Sequence, residues 1–308
     1  MPSHRLARLL RSVVCLCAFL AACTTSPAPV GSVSLPDIDP VPLVPSATIG
    51  DPTIDESSGI VASRLRPGLY WTHNDSGGKP EIFAIDAAGM LVGKPVRILG
   101  ATNVDWEDIA SDEAGNLWIA DIGNNLNART DLCLYVVPEP DPLLQQSARV
   151  ARKLSFSYPD QTLFPPPRLE FDAEALFIAF GRPYILTKHR GSTSTKLYRM
   201  DRGMEDGRYA PPLTLLGVFD VRGMVTGADA SPDGRRIVVL TYTAVWLFEA
   251  RGNRGVDEDW FGGAIRWLPI RARQCEGICF DRDGSLLITN EQKDVFRLRV
   301  EELISVRE

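Results

Sequence analysis

The chain has 308 residues, 44% of them hydrophobic and 23% charged, with a formal net charge of −6 at neutral pH. That apolar content can bury a large core as one domain. The acidic balance, with no basic stripe along the chain, excludes a nucleic-acid surface, which needs lysines and arginines laid along phosphates.

Residues 1–22 read as a leader. "MPSHRLARLLRSVVCLCAFLAAC" starts basic (Arg5, Arg8, Arg11) and continues into an apolar run of roughly ten residues, too short to cross a bilayer. Its exit, "LAAC", resembles a bacterial lipobox, which implies lipidation of Cys23; a plain secretory cut is the other reading. Thr24 stands where the usual sorting pattern places an aspartate to retain a lipoprotein in the inner membrane. The expectation is an exported, lipid-anchored protein of the outer membrane in a Gram-negative host. Removing the three leader arginines takes the charge from −6 to −9. Residues 23–46, the lipidated cysteine and a Pro- and Ser-rich stretch, read as an extended tether, and 47–308 as a single domain.

From there helical periodicity is almost absent. Short β-rich runs such as "GLYWTHND", "NLWIADIG", "PYILTKHR", "RIVVLTY" and "SLLITNE" alternate with Gly, Pro, Asp and Asn turns. Laid under one another, five segments share one order: a polar slot residue, a small residue or Asp, an apolar strand, a turn, a second strand and a polar tip. The slots are Ser58, Glu107, Glu174, Thr226 and Glu276, separated by 49, 67, 52 and 50 residues, with the Pro-rich "PDQTLFPPP" inside the long interval. A third strand follows each tip ("EIFAID", "LCLYVV", "KLYRMD", "VWLFEA", "VFRLRV"), and fourth-strand candidates exist for four of the units. Repeats of this length with four strands each predict an all-β propeller. Five blades are expected, with a sixth left open and a β-sandwich as the structural alternative; residues 44–50 would donate the last blade's outer strand and close the ring.

In that fold the slots and the second-strand tips converge on one face. Three carboxylates and two hydroxyls at the slots form an all-oxygen set; crowding raises carboxyl pKa values or recruits a hard cation such as calcium. The plainer reading is that the glutamates accept channel amides or hold water. The order Ser, Glu, Glu, Thr, Glu resembles the Ser/Glu/Glu/Ser/Glu calcium ring of the calcium-activated nucleotidase (apyrase) propellers, which hydrolyse nucleoside diphosphates; Thr226 stands where those proteins have a serine. "CEGICFDRDGSLLITNE" and "DWEDIASDEAGNLWIAD" also resemble bacterial phytase-esterase-like and lactonase-like propellers. The resemblance implies a Ca2+ site and a metal-dependent hydrolase of phosphate esters, anhydrides or lactones. The alternative is a non-catalytic propeller with a structural cation that binds a small molecule, protein or glycan.

The tips supply the candidates for chemistry. His73 and His189 occupy the same position in the first and third units, either moving a proton or bonding neighbouring loops. Lys188 and Arg190 beside His189 either steady an anion or form a solvated charged loop. Asn74, Asp75, Asp121, Asn124, Asn125, Tyr242, Asn290 and Glu291 complete a polar funnel of ligands or turn formers. Asp105 and Asp108, which flank the Glu107 slot, are read as outside the ring. No Gly-x-Ser-x-Gly, P-loop or His-Glu-x-x-His pattern occurs. "SPDG" and "DRDG" are turns on the opposite face, and Trp71, Trp118 and Trp246 are blade packing. Cys275 and Cys279, four apart on one strand, would share a face about 13 Å apart, too far to bridge; with Cys133 they read as small buried hydrophobes.

Overall fold

The computed structural model describes residues 30–201, 210–252 and 258–308; Cys23 and the leader lie outside the described residues. Each repeat folds as an antiparallel sheet whose strands alternate β-branched or aromatic residues across two buried faces. Blade one comprises Ser57–Ala62, Leu69–Asn74, Glu81–Asp86 and Val96–Leu99, and blade two Trp106–Ser111, Asn116–Asp121, Cys133–Pro138 and Arg152–Ser155. Blade three runs through Asp172–Ala179, Arg182–Lys188, Ser194–Arg199 and Thr214–Asp220. Blade four holds Val225–Ala230, Arg236–Thr241, Ala244–Arg251 and Asp259–Arg271, and blade five Cys275–Phe280, Leu286–Asn290 and Asp294–Leu298.

Blade five takes its outer strand from the chain's beginning. Ala47–Thr48 pairs antiparallel with Asp294–Leu298, and Ser46 and Ile49 donate backbone N–H bonds to Val295 and Lys293 at 2.8 and 2.7 Å. This is the closure expected of residues 44–50. The protein is a five-bladed β-propeller.

Five apolar clusters lie between successive blades, and the fifth joins blade five to blade one. It packs Cys279, Leu287 and Val295 against Ile60, Tyr70 and Phe83, so the ring closes with no room for a sixth blade. Trp71, Trp118 and Trp246 are buried in three of these interfaces, as expected.

The stretch read as tether is partly built into the domain. Val30–Gly31 runs parallel to the outer strand of blade three, and Val41–Pro42 parallel to that of blade four. Between them Val33, Leu35 and Ile38 pack against the cluster of blades three and four. Proline does not prevent this, because a strap on a sheet edge leaves many of its own N–H groups in water.

Candidate functional site at the channel mouth

The five slots are structurally one position. In every blade the register of inner and second strands slips there, between Ser57 and Ile60, Trp106 and Asp108, Ala173 and Ala175, Val225 and Gly227, and Cys275 and Gly277. A bulge adds one residue to the inner strand and re-aims its side chain. It also reverses the inside-outside parity, which corrects the expectation for the cysteines. Cys275 packs between blades four and five, whereas Cys279 packs between blades five and one. Both, with Cys133, are buried free thiols.

The position after each slot shows how narrow the channel is. It holds Gly59, Asp108, Ala175, Gly227 and Gly277, four small residues and one acid. A Cβ on Gly59 would lie 2.7 Å from the Asp108 backbone. Asp108 uses the room so left. Its Oδ2 accepts the backbone N–H of Leu176 at 2.8 Å and of Ala228 at 3.3 Å, and its Oδ1 that of Ile109 at 2.8 Å. One fully buried carboxylate thus ties blades two, three and four together across the channel. Burial pushes its pKa well up, against those three donors.

Above this plug, the slot side chains are buried and interlinked. Ser58 Oγ donates to Glu107 O (2.8 Å) and Thr226 Oγ1 to Cys275 O (2.7 Å), which turns both hydrogens to the next blade and leaves oxygen lone pairs free. Lys188 Nζ lies 2.9 Å from Glu174 Oε1 and donates to Tyr242 OH at 3.1 Å; Tyr242 in turn donates to Glu276 Oε1 at 2.9 Å. The other oxygen of Glu276 is buried without a hydrogen-bond donor among the described residues. Burial lifts Glu174 to about 7, opposed by Lys188, and Glu276 to about 8. Glu107 is raised well above the usual range by burial, then by Glu174, Asp75 and Asp105. Burial works against the Lys188 ammonium, yet the Glu174 carboxylate holds its pKa above the ordinary lysine value.

Among the described residues, one group of three carboxylates is placed to share an ion. Asp75, Asp105 and Glu107 each offer an oxygen within 4.8 Å of the others. Burial and Asp75 push Asp105 up to about 6. Gly123, in "DIGNN", packs so close that any Cβ there would overlap the Asp105 and Glu107 carboxyls. Asp105, read from the sequence as outside the ring of slots, thus lies beside one slot carboxylate, Glu107.

The remaining candidates divide into funnel and scaffold. Glu291 joins the funnel beside Glu276, its pKa raised by burial and by Glu56 and Asp75. Asp121 pairs with Arg129 at 2.9 Å, Asn124 accepts the Arg129 amide and donates to Phe171 O, and Asn74 and Asn290 cap nearby backbone. Arg190 bonds Asn125 and lies 3.2 Å from Asp172. His73 is fully buried, edge-on to Trp106, with Nδ1 3.0 Å from Asn74 O. His189 is held between Thr187 Oγ1 (2.8 Å) and Ser192 Oγ (3.0 Å). Burial lowers both histidine pKa values, that of His189 to about 4, so both rings are neutral at pH 7. The registers correct their expected equivalence: Ser57, before the first slot, pairs with Asn74, and Ala173, before the third, pairs with Thr187, so His73 lies one residue before that point and His189 two after it.

The donor chemistry fits a hard cation: the five slots, Asp75 and Asp105 offer only oxygen, with Lys188 and Arg129 the cations beside them, and Gly123 keeps the space beside two carboxyls open. The fit is best at Asp75, Asp105 and Glu107. Next to Glu107, Glu174 already takes a positive charge from Lys188.

No protein family and no curated protein matches this sequence. Solved structures resemble the fold. The mitotic checkpoint complex matches at 10% identity and a TM-score of 0.37, over 78% of this chain and 63% of that chain, so this chain spans less than two thirds of it. A luciferin-regenerating enzyme matches at 13% identity and a TM-score of 0.41, over 82% and 81% of the two chains. The Swd1 β-propeller domain of Myceliophteria thermophila matches at 9% and 0.42, over 82% and 98%. Likeness at this level carries nothing about chemistry, which rests on the channel mouth alone.

Proposed function

We propose that this propeller binds a divalent cation, calcium by its donor chemistry, at Asp75, Asp105 and Glu107, and presents it to an oxyanionic ligand in the funnel. The observation that carries the reading is the convergence of these three carboxylates beside Gly123, with burial and mutual repulsion raising the pKa values of Asp105 and Glu107. A bound cation relieves their mutual repulsion and displaces their protons. Glu174, Glu276, Ser58 and Thr226 extend the oxygen set around the mouth, and Lys188 with Tyr242 supplies donors for an anion. In an exported protein anchored through Cys23, calcium would come from outside the cytoplasm.

On this reading the resemblance to nucleotidase propellers suggests hydrolysis of a phosphate ester or anhydride, or of a lactone, with the cation polarising the reacting oxygen. The burial and neutral state of His73 and His189 favours the second reading, a binding propeller without catalysis.

Calorimetric titration of the metal-free protein with calcium at pH 7.5 tests the site. One binding event is expected, weakened at least tenfold in Asp105→Asn and in Gly123→Ala. Unchanged affinity in both variants would remove the site. Turnover of nucleotides, phosphate esters or lactones that requires calcium and is lost in Asp105→Asn selects the hydrolase, and binding without turnover selects the second reading.

A further inference from the structure

The opposite end of the propeller carries a cleft that the channel mouth does not explain. It has a volume of about 480 Å³ and lies where the turns between inner and second strands of blades two, three and four meet, with Arg64 reaching in from blade one. That volume is in the range of small-molecule sites. Trp118, Phe180 and Met200 give it apolar walls, and Arg64, Arg152 and Arg182 line it with guanidinium groups.

Two of its three acids are already engaged, and the third, Glu113, is exposed. Asp112 accepts from Asn116 and from Trp118 Nε1 at 2.9 Å, and Asp201 accepts from Arg199 Nε at 2.7 Å and Thr214 Oγ1 at 2.6 Å. Arg64 and Arg182 are less so. Arg64 gives Nε to Ser111 Oγ at 3.0 Å, and its terminal nitrogens bond no acceptor among the described residues. Arg182 keeps a buried Nε with no partner among the described residues, and its Nη1 is 3.6 Å from Asp201. A buried charged donor without an acceptor is an uncommon expense in a folded protein.

The wall is also strained. Blade three turns through Phe180 and Gly181, with φ of +52° and +69°. Positive φ at both positions makes a tight hairpin in which Asn-Gly is the favoured pair, and phenylalanine is disfavoured. The strain sets the Phe180 ring parallel to Trp260, centroids 6.2 Å apart, at the cleft wall. Strain of this kind concentrates at ligand sites.

We propose that this cleft binds an aromatic carboxylate, its carboxyl held by Arg64 and Arg182 and its ring laid on Phe180 and Met200. A planar carboxylate matches the guanidinium fork, and a flat ring matches the walls. The occupant leaves the channel mouth untouched.

The test is calorimetric titration of the full mature protein with 2-naphthoate, its neutral isostere 2-naphthamide, and acetate. Naphthoate is expected to bind one site, at least tenfold tighter than either control. Arg64→Gln and Arg182→Gln are each expected to weaken naphthoate at least tenfold, with far-ultraviolet circular dichroism confirming the fold, while Asp105→Asn leaves it unchanged. Equal binding of naphthoate and naphthamide, or unchanged naphthoate affinity in folded Arg64→Gln, overturns the proposal. So does loss of binding in Asp105→Asn, which would place the probe in the funnel. If Arg182→Gln does not fold, Arg64→Gln alone decides.

Discussion

Lys188 Nζ lies 2.9 Å from Glu174 Oε1, with both side chains more than nine-tenths buried, so the channel mouth carries an internal cation among its carboxylates. Removing one partner of a buried pair leaves the other charge without compensation, at about 3–5 kcal/mol. Lys188→Met is therefore expected to lose about that much at pH 8. At pH 5 the loss should be much smaller, because Glu174, at about 7 even beside the lysine, takes a proton. Urea unfolding at the two pH values measures this, and Lys188→Met/Glu174→Gln should recover most of the loss at pH 8. An equal loss at both pH values would mean that the pair does not carry the effect.

The mouth also predicts how stability responds to pH. In the metal-free fold Glu174 titrates at about 7 and Glu276 at about 8, against a model-peptide value of 4.5. Their contribution is complete below about 4.5 and is lost as pH rises through the folded values. The buried histidines act oppositely, but only up to their unfolded value of 6.5. Carboxyls held low, such as Asp281 and Asp201, finish titrating below that window. From pH 6.5 to 8 the melting temperature in EDTA should thus fall, by roughly 2–4 °C for each kcal/mol in a domain of this size. Calcium replaces the protons, so its stabilising shift should grow over the same range. A melting temperature in EDTA that climbs from pH 6.5 to 8 would contradict the site's electrostatics.

The blade count, the closing strand and the equivalence of Ser58, Glu107, Glu174, Thr226 and Glu276 were legible, because a strict repeat turns spacing into position. The roles of Asp105, Glu107 and Asp108 in "VDWEDIA" were not. Which of three nearby acids faces the axis depends on a bulge, and a bulge changes strand parity without marking the sequence. The aligned repeats did contain a signal for Asp108, the one large residue at a position that is otherwise Gly or Ala. Asp105 needed Gly123, a residue 18 positions away whose missing side chain makes room for it. The histidines show the same limit: the aligned tips made His73 and His189 equivalent, and the bulged registers set them three positions apart.

Asp108 offers the sharpest test of the core. Replacing it with alanine leaves the N–H groups of Leu176 and Ala228 buried without their acceptor, each at about 1–3 kcal/mol. Asp108→Ala should cost about 3 kcal/mol or more. Asp108→Asn should cost less, since its one carbonyl can still serve Leu176 while its NH2 opposes Ile109 N–H. Guanidinium unfolding of the three proteins gives the ranking. If alanine were no worse than asparagine, the channel-spanning bonds would contribute nothing.

Ring closure rests on two residues, and truncation separates it from the strap. Without residues 1–44 the protein keeps Ala47–Thr48 but loses the packing of Val33, Leu35, Ile38 and Leu43, partly buried side chains worth about 3 kcal/mol together. It should fold and melt cooperatively at a lower temperature than a chain starting at residue 30. Without residues 1–50 the Asp294–Leu298 edge has no partner, and Ile49 leaves the cluster that joins blade five to blade one. An open edge beside an exposed apolar interface favours association over folding. That chain should be aggregated, or unfold without a cooperative transition, by light scattering and calorimetry. If it melts as the 1–44 deletion does, the N-terminal strand does not close the propeller.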